Sequence, residues 1–373
     1  MRHHGYDVLI VGGGPAGLAT ALELARQGLA AMVIERSAYD DLRIGEHLQP
    51  ASVLRLRAMC PRLNLPLDDH FASAGVVAYW GSEAASHMDY FLHAGQHGLN
   101  LSRPRFDAEL ARACELSGVT VRRCASLRRA VRKDSTWDVE ILADGAVTSL
   151  SASIIVDATG RAATFARRQG ARVRAHDRQV AVVALANTAK GQIPHTRSMV
   201  EAAEAGWWYG AAIGPERSIC MLATDDDLLP KGAKTNLHAW WLEQLGRTTH
   251  VRYRFRAFEP SERLFVRSAR SQHLDLGYGV GWLAVGDAAL AFDPLSSQGI
   301  ANALEHGTRA AASIAAHVSG DHASLETFAR DLQREYAAYR STRTRYYRLE
   351  TRWRQSMFWK RRHEDAVASS DES

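Results

Sequence analysis

Three groups of residues in this chain have the types and spacing to do chemistry. The first is GGGPAG, in which Gly12, Gly14 and Gly17 form G-x-G-x-x-G around Pro15 and Ala16. The apolar run YDVLIV precedes it and the helix-spaced run LATALELARQG follows. In that setting Gly12 makes a tight turn, Gly14 lets the backbone approach a pyrophosphate, and Gly17 lets helix and strand pack closely. The free N–H groups and positive dipole of the helix N-terminus favour phosphate. A second strand, AAMVIER, ends in Glu35 and Arg36, which puts an acid where adenosine ribose hydroxyls would lie. On these residues alone the dinucleotide is FAD or NAD.

The second group closes another apolar strand, SIIVDATGR, with Asp157 and Gly160. The third runs from Gly286 to Ile300, GDAALAFDPLSSQGI, after the apolar GWLAV. It offers Gly286, Asp287 and Pro294, then Gln298, Gly299 and Ile300 at the start of a helix. A flat ligand with polar edges suits this segment. Proline has no N–H and a fixed φ, so Pro294 suits a rigid wall. Asp293 reads as a base or, preferably, as the cap of a local turn.

These residues need strands and helices to hold them. The 373 residues are 46% hydrophobic and 23% charged, with a net charge of +5, and can fill two domains or one domain with an insertion. The arginines are scattered, with no basic block carrying interleaved aromatics, so no nucleic acid is expected as partner. No run is long and apolar enough to span a bilayer, and no signal-like leader precedes the first strand. A cytoplasmic location follows as an expectation. Four cysteines and three histidines (His87, His93, His97) show no metal-ligand spacing, so no metal is expected.

Along the chain, VTVRR reads as a strand, and Asp144-Gly145 as the turn of a hairpin that leads into SIIVDATGR. GVVAYWG and DYFLHA read as strand-like pieces. Between 173 and 270 the pattern becomes alternating strands with one helix, NLHAWWLEQLG, which predicts an antiparallel sheet. Helices are expected at 299–318, 322–340 and 343–360. The predicted layout is an α/β chain: 1–74, 102–170 and 271–320 bind the dinucleotide, 75–101 and 171–270 bind substrate, 321–362 form C-terminal helices, and 363–373 are a disordered tail. Aromatics Trp207, Trp208 and Tyr209 are candidates for the substrate pocket, although at least one should lie in the core. The arginine- and tyrosine-rich terminal helices read as a docking face or, preferably, as helices packed on the cofactor domain.

GGGPAG with Glu35, VDATG, and GDAALAFDPLSSQG together resemble the two-domain FAD family of aromatic hydroxylases and flavin-dependent halogenases. FDPLSSQGI, RIGEHLQP and GWWY further resemble the flavoproteins that mature tryptophylquinone-containing amine oxidases and dehydrogenases: the modifying proteins of lysine oxidase, glycine oxidase and quinohemoprotein amine dehydrogenase. The resemblance implies FAD rather than NAD, on a Rossmann-like FAD-binding fold with an inserted antiparallel sheet. It places Asp287 on the ribityl chain, Pro294 at the reactive side of the flavin, and the 298–300 helix start at the flavin N1/O2 edge. It has Asp157 and Gly160 closing over the pyrophosphate, and Arg105 reaching the cofactor.

The implied reaction is hydroxylation of a tryptophan side chain of a partner polypeptide, a quinoprotein precursor, through a flavin C4a-hydroperoxide. O2 is the co-substrate, and electrons come from NAD(P)H or a separate flavin reductase. Glu46 and His47 are the candidate acid/base pair or substrate anchor. The alternative is loop structure, open for Glu46 and preferred for His47. Rival functions are hydroxylation of a small aromatic molecule, halogenation, and a maturation chaperone that does not oxygenate. Halogenases need a lysine after the Gly-Glu loop, and this chain has none between Gly45 and Arg132.

Overall fold

The computed structural model describes residues 5–59, 70–94, 96–187, 195–255, 259–260 and 263–368. Near-continuous apolar runs form the strands of a sheet covered on both faces. Gly5–Val11 lies between Ala31–Ile34 and Ala146–Asp157, with Thr120–Arg122 beyond the former and Trp282–Ala284 beyond the latter, all parallel. Ile34, Val11, Asp157 and Ala284 share one row of the register, so these strands end level. Their next residues (Glu35, Gly12, Ala158, Val285) therefore meet along one sheet edge, where open α/β sheets place ligands. The first half of Ala146–Asp157 pairs antiparallel with Thr136–Ala143, and Asp144 and Gly145 both take positive φ in the turn.

Two helices leave this edge. Pro15–Arg26 starts with proline in its first turn, and Gly28 at φ +78 follows its C-terminal end. Gly299–Val318 crosses it so closely that a Cβ on Gly307 would lie 2.6 Å from the Ala16 carbonyl oxygen. Among the described residues the largest of three mainly antiparallel sheets runs Glu259–Pro260, Gln179–Asn187, Arg217–Asp225, Gly206–Ala212, Arg197–Ala203, Gly75–Tyr79, Ser86–Asp89, with one parallel pair, Arg197–Ala203 on Gly75–Tyr79. Helix Ala233–Gly246 covers one face of this sheet, where Trp208 packs edge-on against Trp241. The C-terminal helices cover part of the other face through Tyr347, Phe358 and Trp359.

Several elements differ from expectation. Tyr90–Ala94 is a short helix rather than a strand, because the Asp89 carboxylate accepts the Phe91 and Leu92 N–H groups. A single helix, Ser324–Leu349, runs through the break expected near 341. There the Thr342 hydroxyl donates to the Ala338 carbonyl, inside the helix. The real stop is Glu350, whose buried carboxylate accepts the Gly81 and Arg352 N–H groups. The last helix, Met357–Ala368, continues past 362 into the segment expected to be disordered. Arg361 and Arg362 anchor it on Asp225, and residues 369–373 of the expected tail lie outside the described residues. Among the described residues no helix is long and apolar enough to cross a membrane.

Candidate active site

The glycine-rich turn after the first strand is built from close backbone contacts. Gly12 sits at φ +111, and a Cβ there would lie 2.2 Å from the Ala158 carbonyl oxygen. A Cβ on Gly17 would lie 2.1 Å from the Gly12 oxygen. No atom lies within 4 Å of where a Gly14 Cβ would stand. That open space faces the uncapped N-terminus of Pro15–Arg26, which fits a pyrophosphate. Glu35 is 5% exposed. One of its oxygens accepts from the Ser37 amide, the Ser37 hydroxyl and Arg43; the other accepts the Gly13 N–H at 2.8 Å. That second oxygen retains room for a ribose hydroxyl. Burial raises the Glu35 pKa, but Ser37, Arg43 and the Gly13 N–H outweigh it and hold the carboxyl below its ordinary value. Arg43 also binds Asp107 at 2.7 Å, and Arg36 points to solvent.

Across the second strand edge, Asp287 faces Arg161 at 3.4 Å. Arg161 also donates to the Phe292 and Arg270 carbonyls, so it ties the 157–161 loop to the 286–293 loop. Asp157 stands one layer behind its expected position. It is fully buried, with one oxygen accepting from the Thr159 amide and hydroxyl and the other from the Ala166 amide. Its work is to shape the loop that presents Gly160, whose Cβ direction is open. The helix Gly299–Val318 starts at exposed Gln298 and Gly299 with no side-chain cap, while Ile300 is buried. Its free N–H groups and the open space at Gly299 suit an anionic ligand edge.

Asp293 is a cap and an anchor. Its side chain is 1% exposed and accepts from Gln179 Nε2 (3.0 Å), the Leu295 amide (3.0 Å), Arg343 Nε (3.1 Å) and the Tyr347 hydroxyl (2.8 Å). Its own N–H donates to the Tyr339 hydroxyl, and the Tyr339 ring stacks on Phe292 at 3.9 Å. Arg343 reaches on to Asp177, and Tyr347 receives the Trp207 indole N–H. Burial lowers the Arg343 pKa, yet Asp293, Tyr347 and Asp177 overcome that and raise it. The turn that begins at Pro294 is therefore held by the long C-terminal helix. Nothing local in the sequence signals this.

Glu46 is buried and accepts the Gly45 N–H at 3.2 Å. His47 is not a free base. Asn100 Nδ2 donates to the Ala212 carbonyl, so Asn100 Oδ1 must accept from His47 Nδ1–H at 2.9 Å, and His47 Nε2 accepts the Tyr90 hydroxyl at 2.6 Å. Burial lowers the His47 pKa, with Asn100 and Glu46 opposing it only in part. Arg105 extends along its own helix to Glu109. Arg103, at the helix start, turns inward to the Ile44 and Gly45 carbonyls. Trp207 and Trp208 are 1% and 0% exposed on opposite faces of the sheet, each under helices, so neither lines a pocket. Tyr209 alone of the three reaches the Glu46 loop.

A dinucleotide cradle joined to a second polar strand edge and a second uncapped helix start suits a flavin dinucleotide. A family description, FAD binding domain, matches residues 5–340. LodB of Marinomonas mediterranea, which bears the name of an FAD-dependent oxidoreductase, is 32% identical over 369 residues, 96% of this chain and 97% of its own. The chain belongs to the FAD-binding-domain family and is an FAD-dependent oxidoreductase. Among solved structures, the flavin-dependent halogenase CmlS superposes with a TM-score of 0.86 at 21% identity, covering 100% of this chain and 70% of its own. The peptidyl tryptophan dihydroxylase QhpG, essential for tryptophylquinone cofactor biogenesis, superposes at 0.77 and 24% identity, covering 96% and 78%. At such identities both show the shared fold.

Proposed function

We propose that this flavoprotein hydroxylates a tryptophan side chain of a partner polypeptide during quinone cofactor biogenesis. The observation that carries the reading is the full-length likeness to LodB, taken with the fold shared with a peptidyl tryptophan dihydroxylase. The missing lysine between Gly45 and Arg132 speaks against halogenation. In this reading 1–74, 102–170 and 271–320 serve the cofactor, and 75–101 with 171–270 serve the substrate.

Bound and reduced, FAD supplies the activation of O2. One oxygen atom ends on the ring, the other leaves as water, and NAD(P)H or a separate reductase supplies two electrons. Glu35 and the glycine cradle hold the adenosine diphosphate. The Gly299 helix start favours negative charge at the flavin edge. Pro294, fixed through Asp293, walls the reacting face. Glu46 accepts the proton that the ring carbon loses.

The test is mass spectrometry of candidate partner polypeptides after incubation with protein, FAD, reductant and air. Oxygen added to a tryptophan is the expected result. Oxygenation of a free aromatic molecule, with every polypeptide unchanged, overturns the peptidyl reading.

A further inference from the structure

The largest antiparallel sheet ends in a bare edge. Ser86–Asp89 is its last strand, and among the described residues it pairs only with Gly75–Tyr79. Backbone groups along a strand point alternately to either side, so every second N–H and C=O of Ser86–Asp89 faces away from the sheet without a partner. Such an edge templates pairing with another chain, and proteins usually guard it with lysine, proline or a bulge. Residues 86–94, SHMDYFLHA, contain no lysine, arginine, glutamate or proline. The carboxylate of Asp89 is taken up by Arg197 and by the Phe91 and Leu92 N–H groups. In place of a guard the edge carries apolar side chains: Met88, Phe91 and Leu92 are 52%, 63% and 80% exposed.

This edge leads into the proposed site. The chain passes from Asp89 to Tyr90, whose hydroxyl meets His47 beside Glu46. Across the sheet, Met88, Val76 and Ser198 are successive register partners. Ser86, Ala78 and Val200 form the next row, which reaches Tyr209. Register partners share a face, so both rows lie on the face of Trp207 and Tyr209, toward the Glu46 loop. Exposure grows outward along both rows, from buried Ser198 and half-buried Tyr209 to exposed Met88 and Ser86.

Unpaired N–H and C=O groups at strand spacing are matched by another extended backbone, not by a small molecule. Four strand residues span only about 13 Å. That is too little for a stable dimer, which buries about 800 Å² per partner, but enough to hold one extended segment. We infer that an extended segment of the polypeptide substrate adds itself as a strand along Ser86–Asp89, with its apolar side chains on Met88, Phe91 and Leu92. The inference rests on the proposed peptidyl reading and supplies its docking edge. Strands lie about 4.8 Å apart, so the added segment stands about 14 Å from the strand of Ser198. The tryptophan to be hydroxylated therefore belongs to a neighbouring stretch of the same polypeptide.

The test is amide hydrogen exchange of the oxidised, FAD-loaded protein, alone and with the unmodified quinoprotein precursor. A second precursor carries phenylalanine for every tryptophan. Both precursors should slow exchange across residues 86–89, because the edge reads backbone and not the target ring. Met88→Lys and Leu92→Asp should each weaken precursor binding about tenfold or more in calorimetric titration. Both side chains are exposed, so neither change should lower the melting temperature. Precursor binding that leaves residues 86–89 exchanging freely, or that survives both variants, overturns the docking edge and leaves the peptidyl reading standing. Slowed exchange that appears with rising protein concentration and no precursor assigns the edge to a second copy and overturns it too. A precursor that docks at the edge yet gains no oxygen overturns the peptidyl reading alone, and one that does not bind overturns both.

Discussion

Two buried carboxylates stand at the two ends of the proposed cofactor site, and they are held differently. Glu35 takes its donors from residues 13, 37 and 43, all close in the chain. Apart from the adjacent Leu295 amide, Asp293 takes its donors from residues 179, 343 and 347, on the inserted sheet and the long C-terminal helix. The donors to Glu35 therefore lie within 22 residues of it, although the cradle around it also rests on Ala158 and Asp107. The Asp293 cluster exists only when three distant parts of the chain have docked. A local cradle can bind a common ligand, whereas a remotely assembled wall can couple the reacting face to the state of the substrate sheet.

Breaking the remote end should have the largest effect. Arg343→Met leaves Asp293 and Asp177 buried without their cation, a change that typically costs about 3–5 kcal/mol. Denaturant melts should show that loss, and the visible spectrum of any FAD still bound should shift. An unchanged melt would mean that the network contributes little. Next comes Glu35→Gln, which keeps the shape but weakens the charge-assisted bonds from Ser37, Arg43 and Gly13. FAD affinity should fall by roughly ten- to a hundredfold, about 1.5–3 kcal/mol. The flavin spectrum should stay as in the parent, since the flavin end is untouched.

Tyr347→Phe sharpens the comparison. It removes the hydroxyl that both accepts from Trp207 and donates to Asp293, for about 1–2 kcal/mol. If the remote end positions the flavin, the spectrum should respond even though stability falls less than in Arg343→Met.

The smallest effect concerns pH. Unfolded, the His47 imidazole titrates near 6.5; folded, burial lowers its pKa. The unfolded chain thus takes up the proton first on acidification. The stability owed to neutral His47 is complete above 6.5 and drains as pH falls through the folded value. Melts at about pH 7.5 and about pH 5 should diverge less in His47→Gln than in the parent. A parent and variant with identical pH profiles would remove His47 from the account.

The same contrast explains what could be read in the sequence. GGGPAG and Glu35 belong to one strand–helix–strand stretch, and their spacing reports their geometry; the level strand ends, which join residues as far apart as Val11 and Ala284, show only as polar residues closing apolar runs. Arg103 and Arg105 differ only in helix phase, so which one turned inward depended on the helix starting at Arg103. The alternation of Trp207 and Trp208 implied opposite faces. That both faces are covered depended on helices elsewhere in the chain, among them the terminal pair carrying Tyr347 and Trp359. Asp157 looked like a ligand because it ends a strand, but its oxygens are taken by Thr159 and Ala166. The partners of Asp293 were invisible for the same reason: a buried ion pair across 50 residues leaves no periodic trace.

The central claim is that this enzyme places an oxygen atom from O2 on an aromatic ring. Its most direct test is turnover under isotopically heavy O2, in buffer containing chloride and bromide, with the product read by mass spectrometry. The account predicts a product carrying heavy oxygen and no halogen. A halogenated product, or an oxygenated one whose oxygen comes from water, would contradict it.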